Sequence, residues 1–218
     1  KKRLGAAPRG EPQRLRMPFH RGAVGRDLGG LRRLDFRLAK RGDVGGNDGF
    51  TAAHLVRHAN ARVMVMDADA GALDVLQEGV AKTPDVAEKV TPVLGDITNL
   101  TPASGLLDRE FAAFTARVRP SAVICQAVLH HVVITQGAPM QFAIDALAAF
   151  GAPVQIEFAT AEDEKARLLL SQIPNWSGEY STQALLDALR RRYANVEEMG
   201  TTSPTRVVVN AWDLLDTP

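Results

Sequence analysis

At 218 residues the chain suits one domain with a sizeable core, or a domain plus a tail. A hydrophobic fraction of 45% is ordinary for a soluble globular protein, and no apolar run approaches the ~20 residues of a membrane-spanning helix. The net charge of +1 hides an asymmetry: ten Arg and three Lys against Glu11, Asp27 and Asp35 give residues 1–42 a charge of +10, and residues 43–218 carry −9.

The first 42 residues therefore read as a basic, Arg/Gly-rich leader, and residues 43–218 as the folded domain. Leu28, Leu31 and Leu34 sit at helical spacing, but the leader otherwise lacks hydrophobic periodicity. Its arginines suit RNA or an anionic surface, an organelle-targeting segment, or a disordered tail. No aromatic stacking pattern accompanies them, which counts against nucleic acid. A strand is expected just before Asp43, yet the residues there, 35–42 (DFRLAKRG), are too charged for a central strand.

Next comes the run Asp43-Val44-Gly45-Gly46-Asn47-Asp48-Gly49. Helix and strand patterns then alternate. Residues 50–58 read as a helix, 62–67 (RVMVMD) as a strand, and 70–82 as a helix with Leu73, Leu76 and Val80 on one face. Residues 90–94 form a short strand ending at Gly95-Asp96. Residues 106–118 predict an amphipathic helix carrying Leu107, Phe111, Phe114 and Val118 on one face. The near-continuous apolar run 121–128 (SAVICQAV) predicts a strand covered on both faces. A helix over 140–150, a strand over 153–158 (PVQIEF) and helices over 162–171 and 182–193 follow. Two strands, 196–199 and 206–212, close the chain.

Strands alternating with helices imply an α/β fold with a Rossmann-like, doubly wound, mostly parallel sheet. The linker at residues 200–204 is too short for a helical crossover, so the last two strands can pair only as an antiparallel hairpin. The glycine turn after the first strand and the carboxylate of Asp67 closing the second form the pairing with which such a sheet holds a ribose and an adenine. The spacing G-G-N-D-G differs from the dinucleotide pattern G-x-G-x-x-G, and Asp43 and Asp48 suit a phosphate poorly.

These features resemble the class I S-adenosylmethionine-dependent methyltransferases over residues 43–212. The features are the acid-x-Gly-Gly-Asn-Asp-Gly turn, Asp67, Gly95-Asp96 and the closing hairpin. Leu129-His130-His131, and Ile156-Glu157-Phe158 followed by Glu162-Asp163-Glu164, resemble the nodulation-type (NoeA-like) subgroup. The resemblance implies a methyltransferase acting on an O or N nucleophile of a small molecule, with S-adenosylmethionine as cofactor and S-adenosylhomocysteine as product. It implies that Asp43, Gly45, Gly46, Asn47 and Gly49 meet the methionine end, and that Asp67 and Ala68 meet the ribose. Asp96 and Ile97 would meet the adenine, and Gln126 would face the methyl group. His130 or His131 would serve as general base.

Plainer readings stand beside each of these. The turn links two elements, Asp67 caps the next helix as Asp69 is expected to, Asp96 ends a strand, and one histidine packs while the other is solvated. The acids at 157 and 162–164 read best as complementing a helix N-terminus, rather than as a site for a cationic acceptor or a metal. His54 and His58 stand at i and i+4 with no third ligand spaced with them, so no metal is expected. Cys125, the single cysteine, suits a reducing, cytoplasmic setting, and no signal-peptide pattern is present. The alternatives in function are a non-catalytic S-adenosylmethionine-binding or scaffold protein, favoured if the weak first strand leaves the sheet incomplete, and an NAD(P)-dependent oxidoreductase. No membrane partner is expected, and the sequence leaves the oligomeric state open.

Overall fold

The computed structural model describes residues 40–216. All but the last three residues of the basic leader, including the leucines at 28, 31 and 34, lie outside the described residues.

Seven strands form one sheet: β1 (Lys40–Val44), β2 (Arg62–Asp67), β3 (Val90–Leu94), β4 (Ala122–Gln126), β5 (Val154–Ala159), β6 (Tyr193–Ser203) and β7 (Arg206–Leu214). Their order is β3-β2-β1-β4-β5-β7-β6. The first five run parallel, β7 lies antiparallel to β5, and β6 pairs antiparallel with β7. The doubly wound sheet and its closing hairpin are those expected from the alternation of elements.

Alternate residues of β2 and β4 serve two cores, which is why these strands are largely apolar. Val63, Val65 and Ile124 pack with Leu55 and Val56 of α1 (Phe50–Ala59) and with Leu73 and Leu76 of α2 (Ala70–Ala81). On the other face, Met66, Val123, Cys125, Ile156 and Phe158 pack with Ile144 and Leu147. They also pack with Leu185 and Leu189. The short α3 (Pro84–Ala87) and α4 (Phe114–Arg117) precede α5 (Met140–Ala148), which carries Ile144 and Leu147; α6 (Glu164–Gln172) and α7 (Thr182–Arg190), which carries Leu185 and Leu189, follow.

The charged segment before the glycine turn is nonetheless a central strand. β1 lies between β2 and β4, with Asp43 level with Val65 on one side and Ile124 on the other. A parallel ladder is made by backbone groups, so it tolerates polar side chains that find room at the strand ends. Arg41 is buried and donates through Nη1 to Ser121 Oγ, which donates in turn to Lys40 O at 3.0 Å. Lys40, Arg41 and Gly42, the last residues of the basic segment, thus belong to the sheet.

The helix expected over residues 106–118 is not formed. Leu107 and Asp108 adopt left-handed backbone (φ 54° and 55°), and Ser104 and Phe111 exchange backbone hydrogen bonds of 2.9 and 3.0 Å in an antiparallel bridge. Only Phe114–Arg117 is α-helical, with the Phe114 ring edge-on to Phe150 at 6.2 Å, while Leu106, Leu107 and Phe111 are exposed. The apolar spacing is real, but half of it has no core to face. The helix expected over 182–193 also ends early, because Tyr193 opens β6 and buries its ring, its hydroxyl donating to Ala152 O at 3.1 Å.

Candidate functional site

A cleft of about 440 Å³ opens at the carboxyl ends of β1 to β4, where open α/β sheets take their ligands. Gly45, Asn47, Asp67, Ala68, Asp96, Ile97 and His131 lie on its wall; Asp43, Gly46, Gly49, Gln126 and His130 do not.

The glycine turn folds back on β2. Gly45 (φ 68°) donates its N–H to Met66 O at 2.7 Å, and a Cβ there would stand 2.1 Å from Val128 Cγ2. Gly49 (φ 77°) has the same need on the other side, where a Cβ would meet Leu76 Cδ1 at 2.2 Å. Both glycines are demanded first by the protein's own packing. Between them Asn47, also left-handed at φ 49°, donates its N–H to Asp67 Oδ2 at 2.9 Å. The other oxygen of Asp67 accepts from Asp69 N at 2.9 Å. Asp69 is the helix cap, accepting from Gly71 N and Ala72 N.

Asp43 lies behind the turn. A Cβ on Gly46 would come within 2.8 Å of its Oδ2, and that oxygen has no hydrogen-bond partner among the described residues. Burial, and then the charge of Asp67, pushes the Asp43 carboxyl up to about 7. Across the cleft, Asp96 Oδ1 accepts from Thr98 N and Thr98 Oγ1, both at 2.8 Å, and Oδ2 accepts from Gln136 Nε2 at 3.2 Å. Gln126 turns to α1 instead, where its Oε1 accepts from Thr51 Oγ1 at 2.7 Å.

The two histidines part company. His131 is exposed on the cleft wall, at the start of a π-type turn (His131–Thr135). His130 is 1% exposed, and neither ring nitrogen has a hydrogen-bond partner among the described residues. Burial, and then the neighbouring His131, lowers it to about 4, so its ring is neutral at pH 7. The two ring centroids are 4.2 Å apart.

Two of the acids in and after β5, Glu157 and Asp163, are internally engaged, while Glu162 and Glu164 are exposed. Arg206 bridges Glu157 Oε1 at 2.7 Å and Asp163 Oδ2 at 3.0 Å, and Asp163 caps α6 by accepting from Lys165 N. No group of three or more metal-ligating side chains is found among the described residues, and His54 and His58 only stack, at 4.3 Å. Nor is any helix among them long and apolar enough to cross a membrane. Gln136 and Arg206 were not singled out from the sequence. Their partners lie 40 and 43 to 49 residues away, so no local pattern marks them.

A sheet in this order, with a terminal antiparallel hairpin and a cleft over its first strands, is the class I methyltransferase form of the Rossmann-like fold. No protein-family model and no curated protein matches the sequence. Solved structures match by fold. The bifunctional kinase-methyltransferase WbdD superposes with a TM-score of 0.59 at 18% identity, over 86% of this chain and 37% of that one. The chain thus spans well under half of WbdD. The magnesium protoporphyrin IX methyltransferase ChlM from Synechocystis PCC 6803, solved with bound S-adenosylhomocysteine, gives 0.58 at 16%, over 87% of this chain and 80% of its own. NcsB1, an O-methyltransferase from neocarzinostatin biosynthesis, gives 0.52 at 18%, over 79% and 48%.

Proposed function

We propose that this chain is an S-adenosylmethionine-dependent methyltransferase that moves a methyl group to an oxygen or nitrogen nucleophile of a small molecule. The charge of the cleft wall carries the reading: Asp67, Asp69 and Asp96 line it, and among the described residues no lysine or arginine does. A ligand with a sulfonium, an ammonium, a ribose diol and an exocyclic amine offers cations and donors to those acceptors. A dinucleotide would bring a pyrophosphate, which the same wall repels. The antiparallel β7 also speaks against a nicotinamide-dependent oxidoreductase. The non-catalytic reading leaned on an incomplete sheet, and β1 is in place.

The residues fit the cofactor in character. Asp67 keeps lone pairs beyond its two backbone bonds for the ribose hydroxyls, and Asp96 and the buried Ile97 both line the cleft for the adenine. Gly45 and Asn47 border the methionine end, with the Asp43 carboxyl beneath. The cofactor supplies an electrophilic methyl on sulfur, which passes to the acceptor and leaves S-adenosylhomocysteine and a proton. In this reading His131, which lines the wall, takes that proton, and the neutral ring of His130 contacts it. Most of the acceleration would come from alignment and exclusion of water. The tie to the nodulation-type subgroup, the reducing cytoplasmic setting suggested by the buried Cys125, and a basic leader preceding the domain belong to the same proposal. NcsB1 was crystallised with 1,4-dihydroxy-2-naphthoic acid, which supports a small-molecule acceptor.

Calorimetric titration with S-adenosylhomocysteine beside NAD tests the reading. Heat with the first and none with the second is expected. No heat with S-adenosylhomocysteine from folded protein overturns it.

A further inference from the structure

We propose that Gln136 is a second adenine-reading residue, whose amide is held by Asp96 so that its oxygen meets the base's exocyclic amine. The inference rests on the cofactor reading above and adds a specificity-determining contact to it.

The orientation of the amide follows from chemistry. Both oxygens of Asp96 only accept, so the Gln136 atom 3.2 Å from Oδ2 is the nitrogen. Asp96 itself cannot swing away, because Thr98 N and Thr98 Oγ1 hold its other oxygen at 2.8 Å. With Nε2 committed, Oε1 is the amide's remaining acceptor, and no described residue donates to it. Gln136 and Asp96 both line the cleft. One wall therefore presents two acceptors, a carboxylate oxygen with a lone pair to spare and an amide oxygen fixed by that same carboxylate. Two acceptors match the two N–H bonds of a 6-amino purine. A 6-oxo purine would set a carbonyl against both and leave them unpaired. The backbone delivers Gln136 to this position through the π-type turn, which closes with Gln136 N donating to His131 O at 3.0 Å, and Gly137 (φ 70°) then lets the chain leave.

The test is calorimetric binding of S-adenosylhomocysteine and of its 6-oxo analogue, S-inosylhomocysteine, to the wild-type protein and to Gln136→Leu, Gln136→Ala and Gln136→Glu. Thermal melts confirm folding. Wild type should prefer the adenine ligand by about tenfold or more. Gln136→Leu and Gln136→Ala should each cut that preference about three- to tenfold, the worth of one neutral hydrogen bond. Gln136→Glu, which sets a second carboxylate against Asp96, should weaken the adenine ligand about tenfold. An unchanged preference in Gln136→Leu and Gln136→Ala, or equal binding of both ligands by wild type, overturns the role of Gln136 and leaves the cofactor reading standing. Folded wild type that binds neither ligand overturns both.

Discussion

The carboxylate of Asp67 accepts the backbone N–H of Asn47 at 2.9 Å and so ties the end of β2 to the turn that follows β1. Asp69 N, also at 2.9 Å, fixes the other oxygen. Two backbone donors thus orient the acid before any ligand arrives, which lowers the ordering cost of binding. Asp67→Ala removes both the proposed ribose acceptor and the brace on the turn. S-adenosylhomocysteine should bind at least about tenfold more weakly, the scale of a charged hydrogen bond. Unchanged calorimetric affinity would refute the assignment.

Gly45 and Gly49 should resist substitution for two separable reasons. A Cβ at either would press into Val128 or Leu76 at 2.1 or 2.2 Å, and each has positive φ. Gly45→Ala and Gly49→Ala should each lower stability by about 2 kcal/mol or more. Gly151→Ala, with φ 67° but open space around it, should cost only the backbone strain, about 1 kcal/mol. Pairing Gly45→Ala with Val128→Ala should recover the steric part alone. Urea midpoints across the set decide this, and equal losses at all three glycines would rule out the steric contribution.

Asp43 and His130 should pull stability in opposite directions over the same pH range. Burial and Asp67 lift Asp43 from 3.8 to about 7, so the folded chain holds a proton there that the unfolded chain has released. Its contribution is full below pH 3.8 and is lost as pH rises through 7. His130 falls from 6.5 to about 4, so its contribution is full above pH 6.5 and is lost as pH falls through 4. Relative to wild type, Asp43→Asn should therefore make stability rise more steeply with pH from 4 to 6.5, and His130→Phe less steeply. Urea denaturation at stepped pH without ligand reads both slopes, and changes of the same sign in the two variants would contradict the assignment.

Arg206 holds Glu157 and Asp163 together where all three are largely buried, with side-chain exposures of 24%, 16% and 8%. Removing the cation strands two carboxylates. Arg206→Met should destabilise by about 3 kcal/mol, and adding Glu157→Gln and Asp163→Asn should restore a large part. A triple variant no more stable than Arg206→Met would show that the ion pairs are not the cause.

Cys125 should be inert in the native protein. It is 1% exposed, and burial, followed by the charge of Asp43, pushes its thiol up to about 12. A thiol reagent at pH 8 should label it only at the rate of unfolding, so rapid stoichiometric labelling without denaturant would disprove the burial.

The parallel sheet and its closing hairpin could be read along the chain because they follow from local rules. Apolar runs such as AVICQ need cover on both faces, and a five-residue linker cannot carry a crossover. Asp67 and Asp96 can be nominated for the same reason: each stands at a strand end, next to turn residues, and both line the cleft. Two misjudgements came from asking side chains a question that the backbone answers. Lys40–Val44 is a central strand because its ladder to β2 and β4 is made of peptide groups, whatever Arg41 and Asp43 carry. Residues 106–118 have helical spacing but no core on which to lay Leu107 and Phe111.

Contacts between distant residues were beyond the reach of the linear chain. The grip of Gln136 on Asp96, the bridge of Arg206 between Glu157 and Asp163, and the division of His130 from His131 arise only when loops from different strands meet at one sheet edge. Hydrogen bonds and desolvation act over a few ångströms in space, while sequence periodicity reports only on neighbours along the chain. The chain alone could nominate carboxylates and a glycine turn. Folding determined which of them share a cleft and which lie behind it.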